Sequence, residues 1–261
     1  HIGATTGYRF YIPYKGDWPS LIRSLWNRMT AWELASSHAF ALGGAMATTK
    51  EVFERARVKE SWQRSADDDL ALTTAVKALG LNVHFVPQCL VATHGDATLA
   101  EIVEWTNRQL ILTKVYYPEL WRRAILKAVI LTVWLGAVVY SVFSATALNQ
   151  PQMWIAACAG LFLLPIEIAF LMQAQGLWQS VLEANAGAKE SEPCPGSAVA
   201  HSTDEEKMKT AFAQSLWRFS AVLPLAHLVL PWMTLYSVVT NRIKWRGITY
   251  ELRGPSETLI I

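Results

Sequence analysis

Residues 128–148 form an unbroken run without a charged side chain. About 20 predominantly apolar residues are needed to cross the hydrocarbon core of a bilayer as a helix. Three basic residues, Arg122, Arg123 and Lys127, come just before this run. Because basic residues beside a span favour its cytoplasmic side, the sequence predicts an integral membrane protein whose preceding residues face the cytosol.

Two further apolar stretches follow, at residues 153–172 and 219–240. The last of these contains Pro224 and Pro231, which interrupt a helix. Three spans would place the C-terminal tail outside, but four basic residues in that tail favour the cytosolic side: Arg242, Lys244, Arg246 and Arg253. The third stretch is therefore either a span, a re-entrant hairpin or an interfacial segment. A Ser-, Glu- and Pro-rich linker at about 183–210 is expected to be mobile.

The composition excludes several classes of protein. Hydrophobic residues make up 52% of the chain and charged residues 17%, with a mean hydropathy of +0.20, which excludes a disordered chain. The formal net charge of +2 gives no reason to expect nucleic acid as a partner. Three widely spaced cysteines predict neither a disulfide framework nor a CxxC metal site.

Residues 1–120 show alternating strand and helix patterns, which predict an α/β domain, and residues 121–261 form the membrane region. A strand is expected at about 4–12, and a helix follows with Pro19 in its first turn. Another helix is expected to begin near Asp67 and to stop at Gly80. Two separate extended pieces are predicted at 83–86 and 90–92, and the Thr98–Glu101 capping box opens a further helix.

The acidic run Asp67-Asp68-Asp69 is the first candidate site. Carboxylates in the first turn of a helix are stabilised by its dipole, so one interpretation is a cap followed by two first-turn anions. The alternative is that one of them acts as a general base on an acceptor hydroxyl. Crowding of three carboxylates raises their pKa values, which suits a base.

Residues 104–109, Glu-Trp-Thr-Asn-Arg-Gln, are the second candidate site. Glu104 and Arg108 are spaced for a surface ion pair. In the alternative, Arg108 binds a phosphate through its planar fork of donors, and Trp105 and Gln109 pack around a ligand. Two further residues are candidates for substrate binding: Gly44, which is part of a Gly-Gly break, and His94, which ends an extended segment. His94 and Asp96 could also bind a metal, but two ligands alone are weak grounds for a metal site.

The order of segments 43–47, 68–73, 80–83 and 104–109, followed by apolar spans, resembles the membrane-bound family 2 glycosyltransferases, and most closely their ceramide glucosyltransferase-like branch. The resemblance covers roughly residues 1–120. It implies the C-terminal part of a GT-A-like domain followed by two to three transmembrane or re-entrant helices. It also implies transfer of a sugar from a nucleotide-sugar, a UDP-sugar by expectation, to a lipid hydroxyl at the membrane, giving a glycolipid.

Within this resemblance, Asp69 matches the family's catalytic Asp, Asp68 the acidic position before it, and Asp67 is an alternative in the EDxDL register. Arg108 matches the Arg of (Q/R)xxRW, whereas Trp105 stands where Gln or Arg is expected and Gln109 where Trp is expected. The Trp245-Arg246-Gly247 segment is similar to a basic segment that ends many such transferases.

The family's DxD motif does not precede Gly44 in this sequence. We therefore expect the donor-binding half, with most ligands of a Mg²⁺ or Mn²⁺ cofactor, to precede His1, and this chain to supply the acceptor side and the base. Two alternatives remain open: a polysaccharide synthase-type family 2 enzyme, which would need more spans, and a non-catalytic membrane protein.

Overall fold

The computed structural model describes residues 1–261 except 37, 164, 167, 170–217, 219, 220 and 230. The predicted linker at 183–210 and the last part of the predicted second span lie outside these described residues. The described chain mixes helices with two three-stranded sheets, as the alternating sequence patterns predicted.

The first sheet has the strand order β2-β1-β3, formed by β1 (Ile2–Ile12), β2 (Met46–Thr48) and β3 (Asn82–His94). Strands β1 and β3 are parallel, and β2 is antiparallel to β1. The prediction of two extended pieces at 83–86 and 90–92 was wrong, because β3 is one strand with an irregularity beside Gly7. There, Phe85 pairs with Thr6 but Leu90 pairs with Tyr8, and the chain between them bulges. A Cβ at Gly7 would collide with the Cys89 carbonyl oxygen, so the bulge requires glycine.

The globular body also contains five helices: α1 (Trp18–Leu34), α2 (Lys50–Arg55), α3 (Val58–Trp62), α4 (Asp68–Ala78) and α5 (Leu99–Tyr116). The first turn of α1 contains Pro19, and its apolar face buries Leu21, Ile22 and Leu25. Thr98 and Glu101 form the predicted capping box at the start of α5. Gly80 follows α4 with a φ of +71°, the left-handed conformation that commonly ends a helix.

Helix α6 (Pro118–Thr146) covers residues 128–146 of the first span predicted at 128–148, and it is long and apolar enough to cross a membrane. After a turn at 147–152, α7 (Met153–Leu161) packs back against α6. This packing is close at Gly160, where a Cβ would lie 2.6 Å from Val138 Cγ2. Further along the chain, Ile168 packs against the buried cluster around α1. The pair α6–α7 therefore forms a hairpin that leaves the globular body and returns to it.

Helix α8 (Ala221–Val239) is the second helix that is long and apolar enough to span a membrane. One helix contains both Pro224 and Pro231. Of the three alternatives that the sequence left open, this favours a span or an interfacial segment over a re-entrant hairpin. Its Leu223, Ala226 and Met233 are buried in one cluster with side chains of α1 and α5. The helix therefore packs along the globular body.

Both ends of α8 contact that body. Just before the helix, Arg218 lies so close to Gly16 that a Cβ there would be 2.5 Å from the Arg218 Nη1 atom. At the other end, Lys114 Nζ of α5 donates to the carbonyls of Ser237 and Val238 at 2.8 and 3.0 Å. It also donates to the Thr240 carbonyl at 3.3 Å. Lysine thus caps the C-terminus of α8, where carbonyls have no partner within the helix.

The tail folds into a second sheet that the sequence analysis did not predict. It consists of β4 (Arg242–Trp245), β5 (Ile248–Gly254) and β6 (Glu257–Ile260), paired antiparallel in that order. Arg246 and Gly247 connect β4 to β5 with positive φ angles of 51° and 82°, as a tight hairpin requires. Ile243 and Leu252 of this sheet are buried in the same cluster as Tyr8 of β1 and Ile111 of α5. The tail is therefore part of the globular body.

Candidate functional site

A cavity of about 570 Å³ lies between α1, α5 and α6, and its wall includes residues from the start of α4. Asp69 is the only carboxylate of the acidic run in its lining. The cavity extends from Asp69 to Trp134 of α6, Leu163 after α7 and His227 of α8. It therefore connects one carboxylate of the acidic run with the helices that carry the exposed apolar surface.

The cavity wall is mixed polar and aromatic on the side of α1 and α5, and mainly apolar on the side of α6. Helix α1 contributes Trp26, Asn27, Thr30 and Glu33, and α5 contributes Trp105, Thr106, Gln109, Leu110 and Thr113. The wall formed by α6 is mainly apolar, with Leu120, Ala124, Ile130, Leu131 and Trp134. A space of this size and character can hold a drug-sized or lipid-like molecule.

The three neighbouring aspartates have three different environments. Asp67 is the N-cap of α4, and its carboxylate accepts a hydrogen bond from the Leu70 N–H at 2.8 Å. Asp68 is exposed and lies outside the cavity lining. Asp69 is partly buried, with its carboxylate held in the cavity wall. The sequence proposed both a cap and a base for this run, and the structure assigns the cap to Asp67 and leaves Asp69 facing the cavity.

Backbone N–H groups fix the Asp69 carboxylate. Gly43 N–H donates to its Oδ2 at 2.6 Å, and Leu70 N–H donates to its Oδ1 at 2.7 Å. Each carboxylate oxygen has two lone pairs, so acceptor capacity remains for a ligand. A Cβ at Gly43 would lie 3.1 Å from Oδ2, which is a tight contact. In the sequence, the Gly43-Gly44 pair predicts only a chain break, so this role of Gly43 was missed, although its position beside Gly44 was the available signal.

Burial raises the pKa of Asp67 to about 9, and the hydrogen bond and charge of Asp69 act in the same direction. The Leu70 N–H opposes this shift because it stabilises the ionised form. At neutral pH, Asp67 therefore keeps its proton beside Asp69.

The acidic run is the only cluster of three potential metal ligands among the described residues, with ligand atoms within 4.8 Å of one another. Mg²⁺ and Mn²⁺ take ionised oxygen ligands. Two of the three carboxylates already accept backbone hydrogen bonds: Leu70 N–H donates to Asp67, and Gly43 N–H and Leu70 N–H donate to Asp69. The triplet by itself therefore does not assign the metal site that the resemblance implies.

The candidate residues of α5 fall on two faces. Trp105 and Gln109 line the cavity, and Trp105 makes an edge-to-face contact with Tyr11 at 6.0 Å between ring centroids. Arg108 is outside the cavity lining, and its guanidinium lies 5.8 Å from the centre of the Trp245 ring. Burial lowers the pKa of Arg108, and the negative charge of Glu104 opposes the shift.

Glu104 is exposed, and the described residues show no Glu104–Arg108 ion pair, although their spacing had suggested one. The Arg108 guanidinium instead lies over the Trp245 ring of the tail. The structure thus brings Trp105 and Gln109 to the cavity and places Arg108 beside the tail hairpin.

The two remaining candidates lie apart from the cavity. A Cβ at Gly44 would meet no atom within 4 Å, so packing does not require glycine there. Its φ of +94° does favour glycine, because residues with a side chain rarely adopt this backbone conformation. His94 is exposed and stacks on Tyr14 with 5.5 Å between ring centroids. The nearby Asp96 accepts hydrogen bonds from the N–H groups of Tyr14 and Lys15 at 2.9 and 3.0 Å. This arrangement stabilises a loop and brings neither His94 nor Asp96 to the site.

An ion-pair cluster joins two walls of the cavity. Glu33 of α1 contacts Lys127 of α6 at 2.6 Å and Arg123 at 3.0 Å. The Glu33 side chain is only 12% exposed, so water screens these pairs less than a pair on an open surface. The cluster fixes α1 against the part of α6 nearest the globular body.

The chain matches no known protein-family model, no curated protein and no solved structure.

Proposed function

We propose that this chain is the acceptor-binding part of a membrane-bound inverting glycosyltransferase, with Asp69 as the general base. The observation that carries the proposal is the single cavity that joins the Asp69 carboxylate to the apolar wall of α6. A lipid in the bilayer can place its hydroxyl at Asp69 while its chain remains between apolar side chains. The resemblance of residues 1–120 to family 2 glycosyltransferases supports a sugar as the transferred group.

In this reaction, an oxygen of Asp69 accepts the proton of the lipid hydroxyl. The hydroxyl oxygen then forms a bond to the anomeric carbon of the nucleotide-sugar, and the bond from that carbon to the diphosphate oxygen breaks. The sugar is transferred with inversion, and the nucleoside diphosphate leaves. Gly43 and Leu70 orient the carboxylate, since their N–H groups fix both of its oxygens.

The resemblance implies that Arg108 contacts the leaving diphosphate, and the proposal keeps this role although Arg108 lies outside the lining of the cavity that contains Asp69. Its guanidinium lies on the face of Trp245, which restricts its orientation. A positioned cation stabilises the negative charge that develops on the leaving group. The divalent ion of the family belongs to the donor side in this proposal, and no step here depends on it.

The arrangement of helices supports a specific membrane topology. In this proposal α6 is one crossing, and residues 128–146 would extend over about 28 Å, close to the thickness of the hydrocarbon core. The return crossing is the apolar stretch predicted at residues 153–172, of which α7 covers only Met153–Leu161. By its length and composition α8 could also cross a membrane. This proposal places α8 in the interface instead, because residues at both of its ends contact the globular body. Its outward residues are apolar, with Leu228 62% and Trp232 72% exposed. The tail and the globular body are then on the same side, and the basic residues favour the cytosol as that side.

The test of the proposed activity compares two neighbouring carboxylates in the full-length protein. Membranes with Asp69→Asn or Asp68→Asn are incubated with radiolabelled UDP-sugars, and labelled lipid is extracted. Loss of a general base lowers turnover by about 10²–10⁴-fold, so Asp69→Asn should nearly abolish labelling. Asp68 is exposed and outside the cavity, so Asp68→Asn should keep wild-type activity. Full turnover with Asp69→Asn would refute the assignment.

A further inference from the structure

The hairpin formed by β4 and β5 exposes two large apolar side chains at its tip. Trp245 ends β4 and Ile248 begins β5, and the two residues are paired directly across the hairpin. Each is 43% exposed, whereas Ile243 and Leu252 of the same two strands are buried in the core. The base of the hairpin is therefore anchored in the globular body, and residues 244–248, which we call the tail tip, are open to the surroundings.

The tail tip also carries two positive charges without a counter-ion. Lys244 and Arg246 are exposed, and neither forms an ion pair within the described part of the chain. Arg242 and Arg253, which lie further from the tip, both contact Glu251, at 3.9 and 3.2 Å between nitrogen and oxygen. The tail tip thus combines exposed apolar side chains with free positive charge, the combination found in segments that bind an anionic membrane surface.

Contacts between α6 and α8 indicate the direction of the bilayer. Trp121, near the start of α6, donates from its Nε1 to Ser237 Oγ near the end of α8 at 3.0 Å. Trp134, within the apolar run of α6, makes an edge-to-face contact with His227 in the first half of α8, with 6.2 Å between ring centroids. A step back along α8 from its C-terminal end is therefore a step along α6 toward the run that is proposed to cross the membrane.

The tail tip lies in that direction from the end of α8. Lys114 of α5 contacts the carbonyls at the end of α8, whereas Arg108, earlier in α5, contacts Trp245 of the tail tip. Further back in α5, Ile102 shares a buried cluster with Leu223 in the first half of α8. Strand β4 therefore runs back along α5 by about 9 Å, the rise of the helix between its two contact positions, toward the apolar part of α6.

We propose that the tail tip docks on the surface of the bilayer, and that its partner there is the headgroups of anionic phospholipids. Trp245 and Ile248 enter the interfacial region, where aromatic side chains are enriched. Lys244 and Arg246 lie against the lipid phosphates, which attract basic residues near the surface. Residues 240 and 241 alone separate β4 from α8, whose exposed side chains are apolar, so a bilayer is the partner closest to this charge.

The test places an environment-sensitive NBD fluorophore on the tail tip of the full-length protein in nanodiscs. In a variant without native cysteines, Ile248→Cys carries the fluorophore, and nitroxide-labelled phosphatidylcholine quenches it on contact with the bilayer. We expect blue-shifted emission and strong quenching in nanodiscs rich in phosphatidylglycerol, and weaker quenching in nanodiscs of phosphatidylcholine alone. Lys59→Cys, at an exposed position of α3, is the control for the fluorophore and should stay unquenched in both.

A double variant removes the charges of the tail tip and keeps its apolar pair. Each basic residue near an anionic surface strengthens binding about fivefold, so Lys244→Gln with Arg246→Gln should lower the ratio of docked to undocked tips about 25-fold. This loss should appear only in the anionic nanodiscs, and high salt should act in the same way because it screens exposed charges. Lys50→Gln with Lys59→Gln removes the same charge from exposed positions of α2 and α3 and should leave quenching unchanged.

The possible outcomes separate this inference from the proposed function. Equal quenching in neutral and anionic nanodiscs, or quenching that survives the double variant of the tail tip, would overturn the anionic partner. A fluorophore that stays in water in both nanodiscs, or whose emission shifts only when UDP is added, would overturn membrane docking. Sugar transfer by Asp69 is measured separately with labelled UDP-sugars, so either proposal can fail while the other stands.

Discussion

At the scale of single residues, Gly43 controls the orientation of the Asp69 carboxylate. Gly43→Ala would place a Cβ 3.1 Å from Asp69 Oδ2 and shift that oxygen by a few tenths of an ångström. Small displacements of a reacting group lower rates strongly, so we expect about a tenfold loss of sugar transfer with little change in thermal stability. Turnover and the unfolding midpoint are measured together.

Gly44→Ala is the control for this prediction. A Cβ at Gly44 meets no atom within 4 Å, but the φ of +94° is unfavourable for alanine. This variant should lose about 1 kcal/mol of stability and keep its activity. The opposite pattern, with activity lost at Gly44 and kept at Gly43, would contradict the assigned role.

Asp67 is expected to make stability depend on pH. Its pKa is raised from 3.8 to about 9 in the folded state, so the folded protein holds a proton that the unfolded chain has lost above about pH 4. The stabilising contribution is complete below pH 4 and is lost as the pH rises to about 9. Asp67→Asn mimics the protonated form, so its unfolding midpoint should fall less between pH 5 and pH 9 than that of the wild type. An equal decrease of the unfolding midpoint in the wild type and in Asp67→Asn would show that Asp67 does not cause the pH dependence of stability.

At the scale of elements, Lys114 connects α5 to the end of α8. Lys114→Met removes three hydrogen bonds from a charged donor to carbonyls of residues 237, 238 and 240. We expect a loss of about 1–3 kcal/mol and faster hydrogen exchange at the α8 C-terminus. Lys50→Met is the control, because Lys50 is exposed and makes only a surface pair with Glu54. Equal exchange rates in the two variants would contradict the capping role.

Local sequence signals predicted most helices but only part of the strand pattern. Strand β1, the start of α4 and the capping box of α5 follow from short-range periodicity and capping residues. Two features of the sheets depend on distant contacts. The continuity of β3 requires the match to β1 across Gly7, and the tail strands need the core around Tyr8 to bury Ile243 and Leu252. Such long-range pairing leaves little trace in a single sequence.

In the candidate site, too, some residues were predicted from local sequence signals and others depend on distant contacts. Asp69, Trp105 and Gln109 were predicted and lie in the cavity wall. The role of Gly43 was missed, because a backbone N–H has a role only through its three-dimensional neighbours. His94 and Gly44 were predicted from position in the chain alone, and tertiary packing places them elsewhere.

At the scale of the whole molecule, the proposed topology makes a prediction about sidedness. In a variant without the native cysteines, Lys59→Cys and Ser256→Cys should react with a membrane-impermeant maleimide on the same side of sealed vesicles. Gln150→Cys, in the exposed turn between α6 and α7, should react on the opposite side. These assignments follow from the α6–α7 hairpin and from the two anchored ends of α8. Labelling of Ser256→Cys on the side of Gln150→Cys would make α8 a third crossing.

The most direct test of the account is to locate a lipid in the cavity. A diazirine analogue of N-oleoylethanolamine is photolysed with the full-length protein in membranes, and the labelled peptides are identified by mass spectrometry. Label is expected on peptides of α1 and α5. Ala124→Trp fills the cavity wall and should suppress this label, while Ala137→Trp, at an exposed position further along α6, should not. Label confined to other surfaces, or undiminished by Ala124→Trp, would contradict the claim that a lipid reaches Asp69 through this cavity.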